Sequence, residues 1–235
     1  MRFEYYHGTS NLFLKSIKEN GLGAINPTFD NQTLELLKYL YGVCENSLFS
    51  CSEYDISTRE TILAMIKQTS LITKVNGNVT KFNFRHKNIY VSLSEFKAVI
   101  YASTNKYGSE VLQQCVKLYE LLIKHNVSFE IPSEINFYNI QNIEKKSLKP
   151  ILVKITHIDD DNLIKENDFT SASEFLCALR ENYHLLDEKQ KYSNFQYMNF
   201  EILNPISPNF LEFYEIDFMG NLKDKNLNYK LKRML

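Results

Sequence analysis

Tyr5-Tyr6-His7-Gly8-Thr9-Ser10 is the stretch around which this chain is organised. A β-prone run over residues 3–6 delivers a histidine onto a glycine and two hydroxyl residues. Gly8 permits close backbone approach, or a conformation closed to other residues. Ser10 or Asn11 can cap a helix whose apolar face is Leu12, Phe13 and Ile17. Asn20-Gly21 ends that helix, with Gly21 suited to the αL position past its C-terminus. Taken locally, His7 reads as a satisfied histidine at a strand end. Only residues far away in sequence can give it another role.

The composition bounds what those residues can be. At 235 residues, 44% hydrophobic and with 15 Tyr and 16 Phe, the chain can bury a sizeable core and is not a disordered one. With 7 Gly and 5 Pro there is no low-complexity linker, and a single domain covering 1–235 is expected. A formal net charge of -1 gives no general drive toward nucleic acid or an anionic membrane. Cys44, Cys51, Cys115 and Cys177 form no C-x-x-C, and no histidine stands at ligand spacing from them. Buried free thiols in a reduced cytoplasmic setting are therefore expected, and no metal site. No apolar run reaches membrane-spanning length, so a soluble protein without a membrane partner is expected.

Residues 24–81 read as a mainly helical insertion: Leu34, Leu37, Leu40 and Tyr41, then Ile62, Met65 and Ile66, recur at helical spacing. Asn76-Gly77, flanked by 72–75 and 79–84, marks a hairpin. Ile89-Tyr90-Val91 is a short strand core, after which Ser92 and Ser94 cap a helix carrying Phe96, Val99, Ile100 and Tyr101. A longer helix spans about 108–125, with Val111, Leu112, Cys115, Leu118, Leu122 and Ile123 inward. A strand over 151–155 leads to Asp159-Asp160-Asp161, which lacks the calcium-loop pattern and reads as a solvated turn. A helix follows at 171–183, then a polar surface loop at 185–193 and a strand at 197–203. Asn204-Pro205-Ile206-Ser207-Pro208 is a rigid turn before a last strand at 210–218. The basic stretch from Lys223 to the end reads as a solvated face.

Three pieces of the chain belong together: His7-Gly8-Thr9 at a strand end, Tyr90 on a strand with Tyr101 on the following helix, and Glu201 on a late strand before a Pro-Ile-Ser-Pro turn. In the stretches YYHGTSNLFLKSIKENGL, NIYVSLSEFKAVIYAS and FEILNPISPNFLEFYEI the chain resembles the ADP-ribosyltransferase superfamily, in its His-Tyr-Glu branch of diphtheria-type toxins and poly(ADP-ribose) polymerase catalytic domains. KPILVKITHIDDDNLI resembles the connecting strand and acidic turn of such folds. The insertion at 24–81 and the region 126–149 have no counterpart. Glu212 and Glu215 on the next strand are rivals to Glu201.

The resemblance implies an α+β fold in which two small packed β-sheets form an NAD cleft, surrounded by helices. It implies transfer of ADP-ribose from NAD to an acceptor with release of nicotinamide, NAD serving as co-substrate without a metal. Tyr90 and Tyr101 would clamp the nicotinamide ring, Gly8 would hold its amide through the backbone, and His7, with Thr9 or Ser10, would contact the adenine-side ribose. Glu201, with Tyr90, would be catalytic, holding the ribose hydroxyl and stabilising an oxocarbenium-like transition state. Where polymerase-type members carry a serine three residues before the second tyrosine, this chain has Ala98, so one amide contact is missing. No separate helical regulatory or DNA-reading domain of the polymerase type is read in the chain, which favours single transfer to a macromolecule. The near-neutral charge puts protein ahead of nucleic acid as acceptor, and the small Asn/Lys-rich chain suits a toxin or effector. An NAD glycohydrolase, an RNA 2′-phosphotransferase relative and a non-catalytic binding module on the same fold are the alternatives. The dinucleotide fingerprint G-x-G-x-x-G, a P-loop and a nucleophile elbow are all absent.

Overall fold

The structure is a computed structural model, and it describes residues 2–75, 78–166, 172–219 and 228–234. Its elements are β1 (Tyr5–Ser10), α1 (Asn11–Asn20), α2 (Thr33–Ser47), α3 (Ile56–Ile66), β2 (Ser70–Val75), β3 (Asn78–Asn83), β4 (Tyr90–Ser92), α4 (Glu95–Thr104), α5 (Glu110–Lys124), β5 (Pro150–Ile155), β6 (Leu163–Lys165), α6 (Ser173–Asn182), α7 (Glu188–Phe195), β7 (Asn199–Ile202), β8 (Leu211–Met219) and β9 (Asn228–Arg233). Mixed α+β architecture is thus present, with a large antiparallel sheet. The chain divides into two compact units. One comprises Met1–Ile25, Asn88–Gly108 and Leu148–Leu235, the other Asn26–Lys87 and Ser109–Ser147.

The first unit is built on one seven-stranded sheet in the order β6-β7-β4-β1-β5-β8-β9. The expectation of two separate small sheets is corrected in this respect. The continuity is thin at one place. β1 runs alongside β5 over six register pairs, Tyr5↔Ile155 to Ser10↔Pro150, but meets β4 at Tyr6↔Ser92 alone. That single pair is the whole β1–β4 ladder, and it joins the β6-β7-β4 part of the sheet to its β1-β5-β8-β9 part. Helix α4 lies across β1 and β5, burying Ala98, Val99 and Ala102 against Leu152 and Ile216. Tyr5 and Phe200 pack edge to face, both buried, on the other face.

Local chemistry sets the ends of these elements. Ser10 accepts from the Leu12 amide and caps α1, and Ser94 accepts from the Lys97 amide and caps α4. Gly21 closes α1 with its N–H on the Ile17 carbonyl, and its φ of 94° is one that glycine alone adopts readily, but its ψ of 165° takes it out of the αL well. The reason is the bridge that follows: Leu22 pairs with Ile206, drawing the chain straight. The loop read at 185–193 is instead the short helix α7, opened by a capping box between Asp187 and Gln190. The end of the basic tail is the edge strand β9, whose Tyr229 and Leu231 pack toward the core while Lys230 and Lys232 face solvent. Lysines on such an edge discourage pairing with another chain.

The acidic turn is not wholly solvated. Asp160 takes both guanidinium nitrogens of Arg180 at 2.5 and 2.6 Å, and its side chain is 19% exposed. A bidentate, largely sheltered pair of this kind ties α6 to the β5–β6 turn. Asp160→Ala is expected to lower stability by about 1.5–3 kcal/mol, read as the shift of the urea midpoint. Asp159→Ala, at a side chain 83% exposed, should leave that midpoint unmoved.

In the second unit, α2 packs on α5 and α3, with Leu37, Leu40, Cys44, Leu112, Cys115 and Leu122 sealed from solvent. β2 and β3 form the expected hairpin; its Asn76-Gly77 turn lies outside the described residues. Of the four free cysteines Cys44 and Cys115 are buried, whereas Cys51 is half-buried and Cys177 exposed. Among the described residues no helix is long and apolar enough to cross a membrane, and no group of three or more His, Cys, Asp or Glu could hold a metal.

Candidate active site

The residues singled out in the sequence lie in the first unit on β1, β4, α4 and β7, around the single-pair junction of β1 with β4. Tyr90 and Glu201 are register partners on β4 and β7, so their side chains share one face. The Tyr90 hydroxyl donates to Glu201 Oε1 at 3.1 Å. Asn88 Nδ2 donates to the other carboxylate oxygen, Oε2, at 2.8 Å. Asn88 was not foreseen. It lies in the bend just before β4, outside the strand, so strand periodicity gives no signal for it; nearness to Tyr90 in the chain is the only one. All three side chains are half-buried, so the carboxylate is held in place yet reachable.

His7 meets this group at the Tyr90 backbone. Were β1 and β4 to stay paired past Tyr6↔Ser92, Gly8 would face Tyr90 across the ladder. The His7 imidazole instead donates from Nδ1 to the Tyr90 main-chain carbonyl at 2.8 Å. A carbonyl can only accept, so Nδ1 carries the proton. Burial pushes the His7 pKa below its ordinary 6.5, against an opposing contribution from this bond. The ring is therefore neutral at pH 7, with Nε2 left as an acceptor.

That depression has a sign. As pH falls below about 6.5 the unfolded chain takes up a proton at His7 before the folded one does, so folding stability declines with falling pH. His7→Asn lacks the titrating ring and retains an amide donor. Its melting temperature is expected to fall less steeply than the wild type's between pH 7 and pH 5. Parallel slopes for the two proteins would contradict this assignment.

Gly8 is explained by packing. A Cβ built on Gly8 would stand 2.1 Å from the Ala98 carbonyl oxygen and 2.9 Å from the Ala102 amide. The absent side chain is what lets α4 press onto β1. The same contact accounts for Ala98, since the helix face against Gly8 is made of small, buried residues, Ala98 at 3% exposure and Ala102 at 1%. Tyr101 immediately precedes Ala102 on α4 and is half-buried. Thr9 is 1% exposed and offers a ligand almost no surface.

The rival carboxylates lie on β8 and are engaged elsewhere. Glu212 accepts from the Tyr214 hydroxyl and pairs with Arg233, both at 2.7 Å. Glu215 pairs with Lys149 at 2.7 Å. Glu201, by contrast, is held by two neutral donors, which orient the carboxylate without cancelling its charge. The arrangement sets an oriented anion against a tyrosine hydroxyl, with a neutral imidazole held by the same tyrosine's main-chain carbonyl, across contacts that span 83 and 111 residues of chain. Such a set can hold a hydroxylated ligand and stabilise positive charge developing on it. Comparison with protein-family models, with curated proteins and with solved structures finds no match to this chain.

Proposed function

We propose that this chain transfers ADP-ribose from NAD to an acceptor and releases nicotinamide. The observation that carries the proposal is that Tyr90 meets both other residues, its hydroxyl donating to Glu201 and its main-chain carbonyl accepting from His7. In this reading Glu201 holds the 2′-hydroxyl of the nicotinamide ribose and faces the positive charge that grows as the glycosidic bond breaks. The bonding electrons leave with nicotinamide, whose ring nitrogen becomes neutral. The acceptor's lone pair closes on the ribose carbon and the acceptor's proton is released. Tyr90, with Tyr101 from α4, offers aromatic faces to the cationic nicotinamide ring. His7 Nε2 accepts from a hydroxyl of the adenine-side ribose. Backbone groups of Gly8 are the remaining contact to the nicotinamide amide, and Thr9, being buried, makes no direct one.

The acceptor is proposed to be a macromolecule, protein ahead of nucleic acid, and the setting cytoplasmic. Incubation of the protein with NAD labelled in its adenylate half and a cell extract tests this. Label fixed in protein by wild type and not by Glu201→Ala is the expected outcome. Nicotinamide release without labelling would favour the glycohydrolase. Absence of both would leave the non-catalytic module as the better account.

A further inference from the structure

We infer that Asn88 is a positioning residue that fixes the orientation of the Glu201 carboxylate. This rests on the proposed reaction in so far as Glu201 is its working group. A carboxylate held at one oxygen still swings about its terminal bond; held at both, its plane is set. The Tyr90 hydroxyl holds Oε1 and the Asn88 amide holds Oε2, at 3.1 and 2.8 Å. Both donors come from one short stretch of chain, Asn88 from the bend that leads into β4 and Tyr90 from the strand's first residue. That segment is itself anchored, since the Ile202 amide donates to the Ile89 carbonyl between them at 3.0 Å. A carboxylate only accepts, so the amide nitrogen of Asn88 must be the atom that faces it. Asparagine adds no charge, and each carboxylate oxygen keeps a lone pair for a ligand hydroxyl.

A merely structural role is the rival explanation, and it predicts something different. β4 and β7 are already tied by three register pairs and by the Ile89–Ile202 bond. Asn88 is half-buried, so water can replace its partner. Its removal should therefore cost little stability and much turnover, because a misplaced catalytic group is worth about a hundredfold in rate.

The test measures NAD turnover, NAD KM and thermal midpoint for Asn88→Ala, Asn88→Asp and Asn88→Gln. Expected is a fall in kcat of about ten- to a hundredfold for Asn88→Ala, with KM within about twofold and the midpoint nearly unchanged. Asn88→Asp keeps the shape, loses the donor and should fall at least as far. Asn88→Gln keeps the donor and should recover part of the loss. A kcat within twofold of wild type for both Asn88→Ala and Asn88→Asp would overturn the inference. A second readout needs no turnover: the Asn88 side-chain amide proton resonances should move in Glu201→Ala. Unmoved resonances would overturn the clamp, whatever the activity. A wild-type protein without NAD turnover but with moved resonances would overturn the proposed reaction and leave the clamp standing.

Discussion

Gly8→Ala is expected to destabilise the protein by about 3 kcal/mol or more, at the upper end of what overpacking costs. The added methyl would meet the Ala98 carbonyl at 2.1 Å and the Ala102 amide at 2.9 Å. Both are helix backbone atoms, and no rotamer change can relieve the clash. Either α4 must lift from β1 or β1 must leave its register with β5. The first exposes Ala98, Val99 and Ala102, and the second breaks a six-pair ladder. In a domain of this size such a loss lowers the melting temperature by roughly 6–12 °C. A thermal melt followed by circular dichroism reads it directly. The same variant should lose NAD turnover even below its melting point, since Tyr101 rides on α4 and His7 adjoins Gly8. A melting temperature within a degree or two of wild type would mean that α4 does not cross Gly8 at this distance.

The second large effect concerns Glu201. Glu201→Gln preserves the size of the side chain and an acceptor oxygen, but it removes the charge that would face an oxocarbenium-like transition state. Transition-state charge stabilisation of this kind is worth about 10²–10³ in kcat for a single group. The effect should appear in kcat, with NAD affinity changed little, because the charge matters most once the glycosidic bond is breaking. The fold should be unaffected. Glu201 is half-buried, and the strands on either side of it stay paired through backbone bonds. Glu212→Gln and Glu215→Gln serve as controls. Their carboxylates serve ion pairs to Arg233 and Lys149, so kcat should stay near the wild-type value.

Much of this arrangement is legible in the sequence, and the exceptions share a cause. The caps at Ser10 and Ser94 and the stripes inside α2, α4 and α5 are local signals, and each marks its helix, although Ile123 of the α5 stripe is 51% exposed near the helix end. β1 extends further than its β-prone residues suggest, through His7, Gly8, Thr9 and Ser10. Six pairs with β5 override the weak strand preference of that stretch, and such pairing between distant segments leaves no local trace. For the same reason the sequence does not reveal that one sheet runs through both halves, pinched at Tyr6↔Ser92. α7 and β9 did carry signals, in the Asp187/Gln190 box and in the alternation of Tyr229 and Leu231 with lysines. Their polar composition argued for a loop and a tail instead.

At the candidate site the residue types and their chain order were readable, but the contacts were not. Nothing local says that His7 bonds the Tyr90 backbone, or that Gly8 is glycine because a helix backbone lies against it. Asn88 was not legible either, because the bend before β4, and not strand alternation, turns its amide onto Glu201.

The most direct test of the central claim is equilibrium NAD binding measured alongside nicotinamide release for wild type and Glu201→Gln. The account predicts that both proteins bind NAD with similar affinity and that only wild type releases nicotinamide at an appreciable rate. A wild type that neither binds NAD nor releases nicotinamide, or a Glu201→Gln protein that releases it as fast as wild type, would contradict it.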